Sequence, residues 1–330
     1  MRRLLTPAVA LGGLATLLMT GFGPALMGGR QVAFRDAGYF YYPLHLRVQQ
    51  EWDAGRWPLW EPEENGGMPL LGNPAAAVLY PGKLLYAILP YPWAARLYPV
   101  AHVLLACGAM FALLRHWRAS RTGSALAALA FAFGGPVLFQ VCNVIFLVGA
   151  AWVPVGLRGA DRWLRLGRRR GLIELALALT MQVLGGDPQA AYLVGLAAAG
   201  YAVGLAVSSK IRVAGAESAT PRSDPPTGAS RTPSQPPSSR PGHRWTIVVA
   251  VIVSAWVLGT LGLAAWRPAG GQGAWPWVVL VGWAIVGAVL VVRTRRGRDA
   301  GLVRRLAGLA GAAMLAAALA AVPLLPALAC

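Results

Sequence analysis

Charged residues are scarce in this sequence. Asp, Glu, Lys and Arg make up 13% of its 330 residues, whereas 56% are hydrophobic. A soluble domain of this length needs more polar surface than that to cover its core. The composition therefore excludes an ordinary water-soluble globular protein and indicates a membrane environment.

Cysteine is also rare, and the sequence has no metal motif. The three cysteines, Cys107, Cys142 and Cys330, are scattered, and each lies in an apolar stretch. There is no CxxC pair and no group of His and Cys at the spacing of metal ligands. We therefore interpret the cysteines as small buried residues.

The net charge of +18 could indicate a nucleic-acid partner. In a nucleic-acid-binding protein, however, the basic residues line a soluble face. Here they form short clusters between long apolar runs, which is the pattern of cytoplasmic loops that face anionic lipid. We therefore expect membrane lipid as a partner and no nucleic acid.

Nine apolar runs are long enough, or nearly long enough, to cross a bilayer. They are Leu4–Met27, Ala95–Leu114, Ala125–Phe139, Val141–Leu157, Leu172–Leu184, Ala190–Val207, Trp245–Trp266, Trp275–Val292 and Leu306–Leu328. The sequence thus predicts an all-α integral membrane protein, a polytopic bundle of about nine transmembrane helices. The short runs Ala125–Phe139 and Leu172–Leu184 indicate helices that are broken or sheltered by neighbours.

The positions of the basic residues predict the orientation. With the N-terminus in the cytoplasm, nine crossings place most of the Arg and Lys residues on the cytoplasmic side. The first run is too long for the hydrophobic region of a cleavable signal peptide, so we expect a retained first helix. We therefore predict a multi-pass protein of a bacterial-type inner (plasma) membrane, with residues 28–93 as a long outer loop.

Composition divides the chain into three parts. Residues 1–207 form the predicted membrane core, which includes the outer loop. Residues 208–244 contain a Pro- and Ser-rich stretch that cannot bury enough apolar surface to fold, so we predict a disordered cytoplasmic linker. Residues 245–330 hold further transmembrane helices. Because the chain stops inside an apolar run at Cys330, we expect a truncated member of a longer type of protein.

The outer loop concentrates acidic and aromatic residues. Asp36 lies shortly after the first helix and precedes an aromatic cluster that includes Tyr41. A carboxylate near aromatic faces at the membrane surface suits the deprotonation of a sugar or lipid hydroxyl. The alternative is that the loop is only an interfacial belt with structural turns. The apolar piece Ala75–Leu89 contains Pro81 and Lys83, and we predict that it is re-entrant or interfacial.

Further ionisable residues are candidates with a structural alternative. Asp187 precedes Pro188 between two predicted helices, an arrangement that is also typical of a helix N-cap. His102 and Glu174 lie in or near predicted crossings, where ionisable residues are functional suspects. For Glu174, pairing with Arg168–Arg170 is the simpler expectation.

Several motifs of the loop, in order, resemble the YfhO-like bacterial membrane proteins, which are related to the GT-C glycosyltransferases. These motifs are Phe34-Arg35-Asp36, Tyr41-Tyr42-Pro43, Gly55–Trp60, Gly66–Pro74 and Tyr80-Pro81. A second recurring motif of the family is similar to Gly185–Tyr192. The sequence departs from the family pattern at Glu61, where Asn is more common, and in the long insertion after residue 207.

The resemblance implies transfer of a sugar from a polyprenyl-phosphate carrier to a cell-envelope acceptor on the outer face. It implies Asp36 as a general base or metal-linked group and Asp187 as a second acid or a neighbour of a metal site. The implied substrate contacts are Arg35 or Arg56 to phosphate, and Tyr41, Trp57 and Trp60 to sugar or isoprenoid. His45 and Asn73 are also candidate substrate-binding residues. The cofactor stays open, with a divalent metal ion as one option.

Two other function classes compete with this one. A transporter or flippase for a lipid-linked substrate would need charged residues along a path deep within the helices, and the sequence has few there. A non-catalytic accessory subunit or an inactive fragment is the third reading.

Overall fold

The computed structural model of the protein describes residues 2–64, 66–219 and 300–320, which are mainly helical. The helices are α1 (Arg2–Leu26), α2 (Tyr42–Asp53), α3 (Leu84–Ile88), α4 (Tyr91–His116), α5 (Arg121–Phe133), α6 (Gly135–Leu138), α7 (Val144–Leu166), α8 (Arg170–Leu184), α9 (Pro188–Ala219) and α10 (Ala300–Leu319). A π-helical turn spans Ala37–Tyr41, and 3-10 turns span Pro81–Lys83 and Phe139–Cys142. A short antiparallel hairpin pairs β1 (Trp60–Glu61) with β2 (Met68–Pro69).

Within the described residues, four helices are long and apolar enough to cross a membrane. They are the Ala8–Leu26 part of α1, α4, α7 and the Pro188–Leu205 part of α9. A fifth span results if α5 and Gly135–Cys142, bent by 42° relative to each other, count as one. The structure thus agrees with the prediction of a helical membrane protein. The described residues do not show nine spans, and the predicted runs Trp245–Trp266 and Trp275–Val292 lie outside them.

The predicted run Ala125–Phe139 is a broken helix. α5 ends at Phe133, Gly134 has an extended backbone, and α6 starts at Gly135. Pro136 lies in the first turn of α6, where backbone N–H groups have no partner within the helix, so its missing N–H costs nothing. Deeper in a helix, a proline would interrupt the backbone hydrogen bonds. The predicted break is therefore confirmed, and it lies at Gly134.

The membrane helices share two ends. α4 and α7 run in the same direction, because Tyr98 of α4 packs in one cluster with Val148 of α7, and His116 at the end of α4 bonds to Asp161 of α7. We call the end that carries residues 28–93 the loop end. We call the opposite end the arginine end, after its exposed arginines: Arg115, Arg118, Arg121, Arg165, Arg168, Arg169 and Arg170.

α8 is a short helix that runs back along α7. Its 15 residues extend only about 22 Å, less than the roughly 30 Å of a bilayer core. At the arginine end Gly159 of α7 meets Gly171 of α8, and a Cβ atom on Gly171 would lie 2.5 Å from the Gly159 carbonyl oxygen. Small residues let the two backbones approach this closely. The predicted run Leu172–Leu184 is thus a helix sheltered by α7, below full spanning length.

The boundary of the predicted linker needs correction. α9 continues to Ala219, past the predicted start of disorder at Ser208. The extension contains no proline before Pro221, and it is rich in Ala, so nothing in it interrupts a helix. The rest of the predicted linker lies outside the described residues.

The last described helix packs on the arginine end of α7. The indole N–H of Trp163 donates to the carbonyl oxygen of Arg305 at 2.9 Å. A Cβ atom on Gly308 would lie 2.5 Å from the Trp163 ring, so only glycine leaves room for the indole here. α10 begins before the predicted start at Leu306, and the end of that predicted run lies outside the described residues.

Candidate functional site at the loop end

The segment predicted as re-entrant or interfacial forms turns and short helices. It contains the 3-10 turn Pro81–Lys83 and helix α3, neither of membrane length. Ala76 and Val78 pack against Leu44 and Val48 of α2. At its far edge the Gln49 amide donates to the Leu89 carbonyl oxygen at 2.9 Å. The segment is therefore fixed on α2 and contributes buried residues to the loop end.

Asp36 and Asp187, the two predicted catalytic acids, both lie near Tyr41. Asp36 is exposed and precedes the π-helical turn that ends at Tyr41, and Arg35 beside it has a left-handed backbone, with φ of 52°. Burial raises the pKa of Tyr41 to about 12, and the charges of Asp36, Cys142 and Asp187 add to the rise. Both acids are thus within electrostatic range of one phenol, and we call Asp36, Tyr41 and Asp187 the Tyr41 site.

Asp187 is buried at the start of α9. One carboxylate oxygen, Oδ1, accepts from the backbone N–H of Ala190 at 2.9 Å, which is the N-cap arrangement. The other oxygen lies against Gly149 of α7, where an added Cβ atom would overlap it. Burial raises the pKa of Asp187, and the backbone N–H groups of Ala190 and Gln189 oppose this rise. The carboxylate is therefore held between a helix start and a glycine of α7.

Gln182 supports this arrangement and was not predicted. Its side chain is fully buried in α8, and its amide donates to the Gly149 carbonyl oxygen at 3.0 Å. The backbone carbonyl oxygen of Gln182 accepts from the Asp187 backbone N–H at 2.9 Å. The signal in the sequence was a glutamine inside an apolar run, since intramembrane polar residues need partners.

An open apolar cleft begins at Asp187. It has a volume of about 390 Å³ and runs between Gly135–Cys142, α7 and α9. Phe146, Val153 and Leu193 line its walls, and Gln140 and Asp187 are its polar residues. Such a lining suits an alkyl or isoprenoid chain whose polar head lies near the carboxylate.

Behind Tyr41 lies a buried group of bases, which we call the base cluster: His45, Lys83 and His102, with the phenols of Tyr80, Tyr86 and Tyr98. The Lys83 side chain is 1% exposed, and Nζ lies 4.8 Å from the ring centroids of both Tyr86 and Tyr98. Among the described residues Nζ has no hydrogen-bond partner, and neither has the Tyr98 hydroxyl. Burial lowers the pKa of Lys83 well below its ordinary value of 10.5.

The hydrogen bonds of His102 define one tautomer. Nδ1 lies 2.7 Å from the Tyr98 carbonyl oxygen, which can only accept, so Nδ1 carries the hydrogen. The Tyr80 oxygen already accepts from the Trp152 indole N–H at 3.0 Å. Tyr80 therefore directs its own hydrogen to Nε2 of His102, at 2.8 Å. In this tautomer both ring nitrogens of His102 have a hydrogen-bond partner.

His45 has the mirror arrangement. Its Nε2 faces the Ala75 carbonyl oxygen at 3.3 Å and carries the hydrogen, so Nδ1 accepts from the Tyr86 hydroxyl at 3.4 Å. Burial and the nearby Lys83 lower the pKa of His45. The ring centroids of His45 and Tyr41 are 6.0 Å apart, which connects the base cluster to the Tyr41 site. His45, predicted to bind substrate, is thus buried beneath that site.

Other predicted substrate residues lie on the hairpin or next to it in the sequence. Arg56 makes a two-point ion pair with Glu51 of α2, at 2.8 and 3.0 Å. Trp57 and Trp60 are exposed, and the Trp60 ring covers Gly67. The side-chain oxygen of Asn73, in the turn after the hairpin, accepts from the Ala75 N–H at 3.0 Å. The roles predicted for these residues stay predictions.

The described residues offer no metal site. Nowhere in them do three or more His, Cys, Asp or Glu side chains gather as metal ligands would. Asp36 and Asp187 supply only two carboxylates near Tyr41.

Acids at the arginine end are paired. Asp161, buried in α7, bonds to His116 at 2.7 Å and lies 3.6 Å from Arg165. Glu174 pairs with Arg158 at 3.2 Å and with Arg162. The expected pairing of Glu174 with Arg168–Arg170 is wrong, because the close packing of α7 on α8 presents the arginines of α7 to it.

Comparison with known proteins adds no assignment: no family model, no curated protein and no solved structure matches the chain.

Proposed function

We propose that the chain is a membrane glycosyltransferase. It would transfer a sugar from a polyprenyl-phosphate carrier to a cell-envelope acceptor at the loop end, on the outer face of an inner (plasma) membrane with the N-terminus in the cytoplasm. The observation that supports the proposal most is the placement of two acids around Tyr41 beside an apolar cleft. The resemblance to YfhO-like proteins and GT-C enzymes supplies the substrate class.

The exposed acid is suited to act on the acceptor. Asp36 is open to solvent at the start of the π-helical turn. As general base it takes the proton of the acceptor hydroxyl while that oxygen bonds to the anomeric carbon. The bond from this carbon to the carrier phosphate breaks, the phosphate leaves with the electron pair, and the sugar carbon is inverted.

The buried acid has a different task. Asp187 is held by the Ala190 N–H and by Gly149, so its position is fixed. It closes the loop end of the cleft, where the head of a lipid in the cleft would lie. We assign Asp187 a positioning role at that boundary. Among the predicted phosphate contacts, Arg35 adjoins Asp36, whereas Arg56 is already neutralised by Glu51.

The test compares two exposed acids of the outer loop. Asp36→Asn and Asp53→Asn are each introduced into the full chain. Each variant, and the wild-type chain, is expressed in a deletion strain that lacks the protein. Envelope glycans are then profiled by mass spectrometry. We expect the wild-type chain and Asp53→Asn to restore the missing glycan. Asp36→Asn should reduce sugar transfer at least about 100-fold, which is the scale of a lost general base.

Full restoration by Asp36→Asn would remove the base assignment. If the wild-type chain restores no sugar but changes which lipid-linked sugars reach the outer leaflet, the protein is a lipid transporter. An unchanged glycan and lipid profile in the deletion strain would leave the accessory or inactive reading.

A further inference from the structure

Lys83 is an unusual residue in this chain. The sequence has 30 basic Lys and Arg residues, and only Lys83 and Lys210 are lysines. Arginine keeps its charge under all ordinary conditions, whereas a buried lysine can give up its proton. Among the Lys and Arg residues whose burial the structure describes, Lys83 is the one that is buried without any acid, and it is of the type that can become neutral.

The surroundings of Lys83 contain bases and phenols. His45 faces it from α2, Tyr86 from α3, and Tyr98 and His102 from α4, while Tyr80 comes from the turn before it. Among the described acids none forms an ion pair with Nζ. Glu51 and Glu61, the buried acids of the loop, form ion pairs with arginines instead. A buried ammonium without a counter-charge is strongly unfavourable.

The hydrogen bonds of the base cluster also favour a neutral amine over an ammonium. Both histidines already use both ring nitrogens. The Tyr98 hydroxyl and Lys83 Nζ are the two polar groups of the base cluster that remain unpartnered. An ammonium has three hydrogens and, in the part of the chain that the structure describes, none of them has an acceptor within hydrogen-bond distance, whereas an uncharged amine leaves fewer donors unsatisfied.

We propose that Lys83 is a proton-sensitive lock on the outer loop. Its amine is uncharged while Tyr80–Ile88 is seated on α2 and α4, and uptake of a proton from water releases this segment. The segment also carries Tyr86, the partner of His45, which in turn packs on Tyr41. Release of the segment therefore loosens the support of the Tyr41 site. This inference does not depend on the reaction proposed above.

The direction of the pH effect follows from linkage. The lysine binds its proton more weakly in the seated segment than in the released one, so the released state takes up more protons. Seating is then most favourable at alkaline pH. Between the ordinary value of 10.5 and the lowered pKa, each pH unit of acidification favours release about tenfold.

The first measurement is the charge of Lys83 itself. The full chain is labelled with carbon-13 at the lysine Cε and studied by NMR in lipid nanodiscs between pH 5 and 10. Only two lysine signals arise, and Lys210→Arg identifies the remaining one as Lys83. We expect the Lys83 signal to titrate well below that of Lys210. A Lys83 signal that keeps its charged position at pH 8 would overturn the proposal.

The second measurement is hydrogen exchange of peptides from residues 80–88, corrected for the intrinsic pH dependence. We expect protection to fall about tenfold with each pH unit of acidification between 10.5 and the lowered pKa of Lys83. Lys83→Met, with a similar shape and no charge, should keep the protection at every pH. Protection that does not change through the titration, or the same pH dependence in Lys83→Met, refutes the lock. If Lys83→Met does not fold, the NMR titration of Lys83 and the pH dependence of hydrogen exchange in the wild-type chain test the proposal without it.

Discussion

Helix α4 carries two histidines whose surroundings are opposite. His102, toward the loop end, bonds to the phenol of Tyr80 and to a backbone carbonyl. His116, about 21 Å away along the same helix, bonds to the carboxylate of Asp161. The base cluster at the loop end thus contains no acid, whereas Asp161 and Glu174 at the arginine end are each paired with bases.

The difference shows two ways of keeping ionisable groups inside a helical bundle. At the arginine end, opposite charges are placed together, so each charge is compensated where it lies. At the loop end, burial favours the uncharged forms of His45 and Lys83, and the charge of Lys83 adds to the effect on His45. The arginine end thus relies on ion pairs, whereas the base cluster of the loop end is buried without a counter-charge.

The largest effect is expected from breaking the pairing at the arginine end. Asp161→Asn removes the negative charge shared by His116 and Arg165, and a buried pair that loses one partner costs about 3 kcal/mol of unfolding free energy. Thermal and denaturant unfolding in detergent micelles would measure the loss. Asp53→Asn, at an exposed acid, is the control and should change nothing. Equal stability of the two variants would show that the arginine end does not rely on pairing.

A smaller effect is expected at the loop end, where the critical contact is steric. Gly149→Ala places a Cβ atom on the Asp187 carboxylate, and overpacking of this kind costs about 1–3 kcal/mol. Gly108→Ala is the control, since a Cβ on this glycine of α4 meets nothing within 4 Å. We expect reduced stability only for the Gly149 variant. If both variants behave alike, α9 can shift without strain and Asp187 is not held by Gly149.

The sequence predicted the framework of the two ends better than their chemistry. α1, α4, α7 and α9 follow from long apolar runs, the break at Gly134 from a run that is too short, and the N-cap of Asp187 from the following proline. These are local patterns. The base cluster, in contrast, joins residues from α2, α3 and α4, and no local pattern states that Lys83 is buried between two rings.

The same reasoning explains the error at Glu174. Its neighbours in sequence are arginines. The packing of α7 on α8 at Gly159 and Gly171 instead places the arginines of α7 beside Glu174. The Tyr41 site falls between these cases. Asp36 and Asp187 were selected by motif, and their common proximity to Tyr41 becomes visible only in the folded chain.

The smallest effect is expected where the loop end does carry an ion pair. Arg56 and Glu51 form a two-point pair, yet the arginine side chain is 62% exposed. Water and salt screen such a pair, and Glu51 keeps Arg47 as a second partner at 2.9 Å. Arg56→Gln should therefore leave the unfolding temperature within the scatter of repeated measurements, at low and at high salt alike. A clear loss that grows as salt is removed would mean that the outer face of the loop also depends on paired charges, and the contrast between the two ends would then apply only to their buried residues.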